Sequence, residues 1–242
     1  MEREDGRLHN QLRPIRFDIG YSTWAEGSCL VKFGRTHVLC TVTIEETLPP
    51  WLKNQENPHG WLTAEYAMLP RATQTRTRRE QRWPKGRTQE ISRLIGRSLR
   101  MALNLELLGE RTLTVDCDVL SADGGTRTAA ITGGWVALVH GLRPLITSGT
   151  LPPEVIRYQI AAISVGMLNG HFLLDLPYTE DAAADVDMNI VMTETGDIVE
   201  IQGTGENTPF SLNSMHTLVE LASHGITQLH ALQREALARA GV

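Results

Sequence analysis

The sequence predicts an α/β fold of the α+β type, in which helices pack on a mixed sheet, as a single domain over residues 1–242. Strand-like and helix-like segments follow one another in the order strands, helix, strand, helix, strands, helix. No internal repeat, low-complexity tract or linker divides the chain. Apolar residues make up 41% and charged residues 21%, which are ordinary globular values, and 242 residues can bury a substantial core.

The first half of the chain contains a predicted hairpin and a predicted amphipathic helix. Residues 27–44 form two strand-like runs joined at Gly34-Arg35. Residues 69–86 are charged and lack apolar periodicity, which predicts a surface loop. Thr88 is then a candidate N-cap, because an apolar stripe at helical spacing follows it from Ile91 to Leu103.

The second half contains a short helical segment, two hairpins and a long helix. The short helical segment is predicted at residues 151–155. The first hairpin is predicted at residues 161–176 with a turn at Asn169-Gly170, and the second at residues 187–202 with Gly196-Asp197 at its tip. The long helix, or helix pair, is predicted at residues 212–239 with an interruption near Gly225.

Residues 112–142 are the centre of the functional prediction. A strand pattern breaks at Asp123-Gly124-Gly125, and a helical pattern resumes at Ala129. Adjacent glycines allow a sharp turn close to a ligand, and the free N–H groups that open the next helix attract an anion. Thr126 adds a hydroxyl, and the planar guanidinium of Arg127 can hold two phosphate oxygens. The alternative is a plain glycine turn with Thr126 near the N-cap, since the Walker lysine is absent.

The net charge of −5 conceals a segregation of charge along the sequence. Residues 71–100 contain ten basic residues and two acids, which suggests a polyanion partner. Residues 158–233 contain ten acids and neither Lys nor Arg. Three arginines of the basic segment recur at helical spacing and form either a basic ridge or a solvated helix face: Arg93, Arg97 and Arg100.

The acidic segment contains a carboxylate cluster at residues 179–189. Asp181, Asp185 and Asp187 are placed at the end of a strand, in a small-residue turn and at the start of the next strand, so they could point at one spot. Such oxygen ligands suit Mg²⁺ or Mn²⁺, which also bind phosphate. The alternative is a solvated acidic turn.

Other features indicate the compartment. The N-terminal residues are charged without an apolar run behind them, and no apolar run approaches the roughly 18 residues of a membrane span, so a cytoplasmic protein with no membrane partner is expected. Cys29, Cys40 and Cys117 are far apart in apolar runs, which predicts buried thiols.

An anion nest, an arginine-rich segment and a carboxylate group together describe cleavage or transfer at a phosphodiester. The chain also resembles the ribonuclease PH family of phosphorolytic exoribonucleases that trim tRNA 3′ ends. The resemblance runs from about Asp5 to near the C-terminus, and its matching segments are residues 25–34, 60–79, 86–100, 108–133 and 180–193. Trp135 and the run Arg82-Trp83-Pro84 are departures from the family pattern.

The resemblance implies a set of residue roles. Arg87 and the run Gly125-Thr126-Arg127 would bind inorganic phosphate, the co-substrate. Asp181 and Asp187 would hold Mg²⁺, with Mn²⁺ as a possibility, and serve the catalytic step. Three arginines, which we call the loop arginines, would guide the RNA 3′ end: Arg71, Arg76 and Arg79.

The resemblance also implies a ribosomal-protein-like fold, a homo-oligomeric hexameric ring built as a trimer of dimers, and substrates that are tRNA precursors and other structured RNA with free 3′ ends. Phosphate would attack the last phosphodiester and release a nucleoside diphosphate, and the reverse reaction would add nucleotides. The alternatives are a metal-dependent hydrolytic nuclease, a non-catalytic RNA-binding subunit of an exosome-like ring, and a small-molecule phosphotransferase. Against the second, such subunits typically lose the phosphate-site arginine or the aspartates, which this chain has.

Overall fold

The computed structural model describes residues 3–79, 86–206 and 208–242, and it contains two sheets that flank a central helix. The strands are β1 (Ile15–Ile19), β2 (Gly27–Phe33), β3 (Thr36–Glu45), β4 (Trp61–Met68), β5 (Thr112–Ser121), β6 (Ile160–Leu168), β7 (His171–Leu174), β8 (Val186–Thr193) and β9 (Ile198–Gly205). The helices are α1 (Pro50–Lys53), α2 (Gly86–Met101), α3 (Thr126–Thr147), α4 (Tyr178–Asp181) and α5 (Leu212–Arg239), and a short 3₁₀ helix lies at Pro153–Val155. The predicted α/β fold with packed helices is confirmed.

The first sheet has five strands in the order β1-β2-β3-β5-β4. Its pairs are antiparallel except for β4 and β5, which are parallel and are connected through α2. The predicted hairpin of β2 and β3 is confirmed, with a turn at Gly34, whose φ is 55°. The edge strands β1 and β4 were not predicted, although β4 alternates exposed and buried residues.

The second sheet is antiparallel and has the order β7-β6-β8-β9. Both of its predicted hairpins are confirmed. The first turns at Asn169 and Gly170 with φ of 50° and 76°, and the second turns through Gly196 with φ of 86°. Asn and Gly suit these turns because they tolerate positive φ best.

Helix α3 lies between the two sheets. A Cβ atom at Gly133 would lie only 2.4 Å from Cγ1 of Val31 on β2, so glycine permits the close packing of α3 on the first sheet. On the other side, Thr132 donates a hydrogen bond to the carbonyl of Ala162 on β6. By length and composition α3 could cross a membrane, with a hydropathy of 1.2, but 67% of that window is buried inside the protein. Its apolar character is that of a core helix.

Helix α5 is continuous from Leu212 to Arg239, so the predicted interruption near Gly225 is wrong. A Cβ atom at Gly225 would lie 2.7 Å from Cδ1 of Leu174, so the glycine lets the helix approach β7 closely. Buried Gln233 then fixes α5 to the core by donating to the carbonyls of Thr132 and Ile160.

The basic segment differs from its prediction in two respects. Thr88 lies inside α2 rather than before it. The basic ridge is wrong for two of its three arginines, because Arg97 forms a bidentate ion pair with Glu200 and Arg100 stacks 4.5 Å from the ring centre of Trp61. Residues 69–79 contain neither helix nor strand, as predicted for the loop, whereas residues 80–85, with the Arg82-Trp83-Pro84 run, lie outside the described residues.

The three cysteines are free and buried, as predicted. In the strand register, Cys29 on β2 lies opposite Cys40 on β3, and Cys40 lies opposite Cys117 on β5. Burial raises the pKa of the Cys29 thiol, which keeps it protonated at neutral pH. These side chains are part of the core.

Candidate active site

The predicted strand, glycine turn and helix are confirmed at β5 and α3. Gly124 and Gly125 have φ of 73° and 64°, which favour glycine. A Cβ atom at Gly124 would also lie 2.5 Å from the carbonyl oxygen of Leu176, so no larger side chain fits there. Because α3 is 22 residues long and begins directly after Gly125, its first N–H groups and its positive dipole end face this turn.

Thr126, the first residue of α3, is oriented by a tyrosine that the sequence prediction missed. The Thr126 Oγ1 atom lies 2.9 Å from the hydroxyl of Tyr66 on β4. Burial raises the pKa of Tyr66, and the Thr126 hydrogen bond and the nearby charges of Arg87 and Arg127 partly oppose this. The alternation of buried residues along β4 was the available signal, because it places Tyr66 on the same buried face as Leu62 and Ala64.

Arg127 is held by two polar side chains that the sequence prediction also missed. Its Nη1 atom donates to Oε1 of Gln202 on β9 at 2.9 Å and lies 3.4 Å from Oε1 of Glu90 on α2. Gln202 also donates to Glu90. Arg87 is exposed in the first turn of α2 and lines the same cleft as Arg127. Two guanidinium groups therefore converge on the glycine turn.

The carboxylates of Asp181 and Asp187 line this cleft as well. Burial and the charge of Asp187 raise the pKa of Asp181, against the opposing charges of Arg127, Arg87 and Arg13. Burial and the charge of Glu206 raise the pKa of Asp187. A cation bound beside these carboxylates would offset the negative charge of Asp187 that contributes to the raised pKa of Asp181.

The donor set fits a divalent cation. Within the described ranges, the Oδ1 atom of Asp187 is buried and has no hydrogen-bond partner, which is unusual for a carboxylate oxygen. Asp181 and Asp187 would hold Mg²⁺ or Mn²⁺, which binds through one or two carboxylates together with water and substrate phosphate. In the part of the chain that the structure describes, no group of three or more His, Cys, Asp or Glu residues is arranged to hold a metal.

Two details of the predicted carboxylate cluster are wrong. Asp181 is the last residue of the short helix α4 rather than the end of a strand. Asp185 does not contribute to the site, because its Oδ2 atom accepts a hydrogen bond from the backbone N–H of Asn169 and so fixes the turn between β6 and β7. Short polar side chains commonly bind backbone groups in turns, which competes with a role as ligand.

The cleft has a volume of about 1100 Å³ and collects residues from distant parts of the chain. Its lining includes the glycine turn and the start of α3, the adjoining helix α4 with β8 and β9, and loop residues such as Thr73 and Thr75. The structure thus brings together all six predicted phosphate and metal residues: Arg87, Gly125, Thr126, Arg127, Asp181 and Asp187. The loop arginines are exposed and, within the described ranges, are outside the cleft lining.

Comparison with known proteins agrees with this architecture. The model of the 3′ exoribonuclease family, domain 1, matches residues 11–144, and the model of domain 2 matches residues 158–225. Rice (Oryza sativa) Rrp46 superposes with a TM-score of 0.79 at 20% identity, covering 97% of this chain and 100% of that chain. A chain of the Archaeoglobus fulgidus exosome with RNA bound to the active site gives 0.79 at 21%, covering 95% and 92%. The archaeal exosome core gives 0.76 at 19%, covering 96% and 91%.

The solved structures share the fold of this chain, and the family models extend over most of its length. The class of protein is therefore that of the 3′ exoribonucleases. Within this class, the chain belongs to the ribonuclease PH family.

Proposed function

We propose that this protein is a phosphate-dependent 3′-to-5′ exoribonuclease that trims the 3′ ends of tRNA precursors and other structured RNA. The observation that carries the proposal is the single cleft that contains both an anion-binding turn with two arginines and a pair of half-buried carboxylates. An enzyme that uses phosphate as nucleophile needs a site for the free anion beside the site for the reacting phosphodiester. The cleft has both.

In the proposed mechanism, Arg87, Arg127, the Thr126 hydroxyl and the first N–H groups of α3 bind inorganic phosphate and aim one oxygen at the last phosphodiester of the RNA. Asp181 and Asp187 would hold a divalent cation, which would offset the negative charge on the reacting phosphate. One of the two aspartates also assists protonation of the leaving 3′-oxygen. The products are a nucleoside 5′-diphosphate and an RNA one nucleotide shorter, and the reverse reaction adds nucleotides.

The loop arginines would bind the RNA backbone as it enters the cleft. They are exposed and lie in the same segment as Thr73, Thr75 and Thr77, which line the cleft itself. Their charges therefore lie near the entrance. This arrangement suits binding to phosphates that precede the scissile bond.

A ring assembly is part of the proposal. Two of the solved structures that share the fold come from archaeal exosomes, one of them with RNA bound to the active site. We propose that copies of this chain form a hexameric ring. Measurement of the molar mass in solution by light scattering tests this, and a monomer at working concentrations would contradict it.

The same likeness to archaeal exosome chains favours a second candidate function, that of an RNA-binding ring subunit without catalysis. The presence of both arginines and both aspartates in one cleft supports the catalytic proposal instead. The two candidates differ in a measurable way, because both bind RNA but only the enzyme shortens it.

The experiment that tests the proposal is an activity assay of the full chain on a tRNA with a 3′ extension, with inorganic phosphate varied from zero and Mg²⁺ present. Phosphorolysis predicts shortening that needs phosphate and saturates with it. RNA that is bound but stays intact at saturating phosphate would support the non-catalytic subunit. Shortening at full rate without phosphate would support the hydrolytic nuclease.

A further inference from the structure

The N-terminal segment of residues 3–13 contains two arginines that are buried beside the cleft. The side chain of Arg3 is 0% exposed and that of Arg13 is 4% exposed. Removing a guanidinium from water is costly unless its hydrogen bonds are satisfied, so buried arginines need a dense set of acceptors. Most acceptors of the two side chains lie in segments beside the cleft, namely the glycine turn and residues 174–180, and Arg3 also donates to carbonyls of the N-terminal segment itself.

Arg13 connects the glycine turn to the loop between β7 and α4. Its Nε and Nη2 atoms bind the two oxygens of Asp175 at 3.1 and 2.6 Å, and its backbone N–H donates to the same carboxylate. Its Nη1 atom donates to the carbonyl oxygen of Asp123 at 2.5 Å. Asp175 begins the loop that leads to Asp181, and Asp123 begins the turn that leads to Gly125. One planar side chain thus fixes the separation of the two loops.

Arg13 also lies directly behind the anion-binding turn. A Cβ atom at Gly125 would come within 3.1 Å of Nη2 of Arg13, so the guanidinium packs against the bare face of this glycine. The backbone of the turn therefore has little freedom to move away from its position.

Arg3 holds the other end of the same loop. Its Nε and Nη2 atoms bind the two oxygens of Glu180 at 2.9 and 2.6 Å, and it donates to the carbonyls of Leu174 at 2.8 Å and Asp175 at 3.0 Å. Glu180 is buried and directly precedes Asp181 in α4. Arg3 therefore anchors the four-residue helix that presents Asp181, which is too short to be stable by itself.

We infer that Arg3 and Arg13 are positioning residues of the proposed reaction, which set the distance between the anion-binding turn and the carboxylate pair. Arg13 acts on both sides of the cleft, whereas Arg3 acts on the carboxylate side. The inference rests on the proposed function. It assigns to the N-terminal segment a role in geometry, because displacement of a reacting group by about 1 Å can lower a rate by about 100-fold.

Arg3→Lys and Arg13→Lys test the inference, because lysine keeps the charge and cannot bind both oxygens of one carboxylate. The matched control is Arg16→Lys, since Arg16 belongs to the same region but is 71% exposed in a surface pair with Asp18. For each full-length variant we would measure Mn²⁺ affinity by electron paramagnetic resonance, phosphate affinity by calorimetry, kcat, and the thermal midpoint.

Arg13→Lys and Arg3→Lys should differ in which affinities they weaken. Arg13→Lys should weaken both phosphate and Mn²⁺ binding about 10-fold and lower kcat by about 10-fold to 100-fold. Arg3→Lys should weaken Mn²⁺ binding by a similar factor and leave phosphate affinity within about 2-fold. Arg16→Lys should resemble wild type in every measurement. A role in stability alone would lower the thermal midpoint in both variants and leave both affinities unchanged.

A second variant covers the case in which Arg13→Lys does not fold. Arg13→Gln combined with Asp175→Asn replaces the buried ion pair by a neutral hydrogen-bonded pair, a change that proteins often tolerate. A folded double variant with wild-type phosphate and Mn²⁺ affinities would overturn the inference, as would failure of both variants to fold, which would make the arginines structural supports. Wild-type protein that binds neither phosphate nor Mn²⁺ would instead overturn the proposed function.

Discussion

Replacement of Arg127 by lysine separates binding of free phosphate from binding of RNA. The Arg127 Nη1 atom is already bound to Gln202 and paired with Glu90, so these two side chains orient the guanidinium plane toward the cleft. A lysine ammonium would keep the positive charge but would have to donate hydrogen bonds to Glu90, Gln202 and phosphate from a single nitrogen. At least one charge-assisted hydrogen bond to phosphate should therefore be lost.

The size of the expected loss of phosphate affinity follows from the free energy that this hydrogen bond contributes. A hydrogen bond to a charged group contributes about 1.5–3 kcal/mol, and about 1.4 kcal/mol corresponds to a factor of ten. The KM for phosphate should rise by about 10-fold to 150-fold in Arg127→Lys. RNA affinity should change by less than about 2-fold, because the loop arginines lie outside the cleft lining.

The assay is steady-state trimming of a 3′-extended tRNA at varied phosphate, with RNA affinity measured separately by fluorescence anisotropy. Arg93→Lys is the matched control, since Arg93 is exposed on α2 and, among the described residues, is outside the cleft lining. Equal weakening of phosphate and RNA binding in Arg127→Lys would show that the turn binds the RNA backbone. An unchanged KM for phosphate would refute the assignment of Arg127 altogether.

Three further predictions concern the carboxylates, the loop and the core. Asp181→Asn or Asp187→Asn should lower metal-dependent turnover by orders of magnitude and leave phosphate binding intact. The control Asp185→Asn should keep a turnover near that of the wild type. Near-wild-type turnover in either of the first two variants would show that these aspartates are only part of a solvated acidic turn. Alanine at all three loop arginines should reduce the slope of log affinity against log salt by about 0.9 or less per lost contact, and an unchanged slope would exclude the loop from RNA binding. Burial lowers the pKa of His230 to about 4, so the unfolding free energy should be highest above pH 6.5 and should fall as the pH drops toward 4, by at most about 3 kcal/mol. Urea titrations of His230→Gln should lack that part of the decline, and an identical pH dependence would show that His230 contributes nothing to it.

Local patterns in the sequence predicted the parts of the site that local structure determines. The glycine turn and the start of α3 follow from residues that are neighbours in the chain, and so does the placement of Asp187 at the start of β8. The error at Asp185 has a local cause as well, because an aspartate in a turn can bind either a cation or a backbone N–H. Only the pairing of β6 with β8, in which Met167 lies opposite Val186, shows that Asn169 provides that N–H.

The supporting residues could not be found in this way, because their partners are distant in the chain. Tyr66 reaches Thr126 only because β4 pairs in parallel with β5, and Gln202 reaches Arg127 only because β9 lies beside the start of α3. Arg13 is 162 residues from Asp175, and nothing local indicates their pairing. The basic ridge was wrong for the same reason, since Glu200 and Trp61 are provided by other elements.

The measurement that tests the central claim most directly follows the fate of labelled inorganic phosphate during trimming of a 3′-extended tRNA by the full chain with Mg²⁺. If phosphate held by Arg87, Arg127 and the turn at Gly125 is the nucleophile, the label should appear as the terminal phosphate of released nucleoside diphosphates, one for each nucleotide removed. Shortened RNA with unlabelled nucleoside monophosphates as the product would contradict the account.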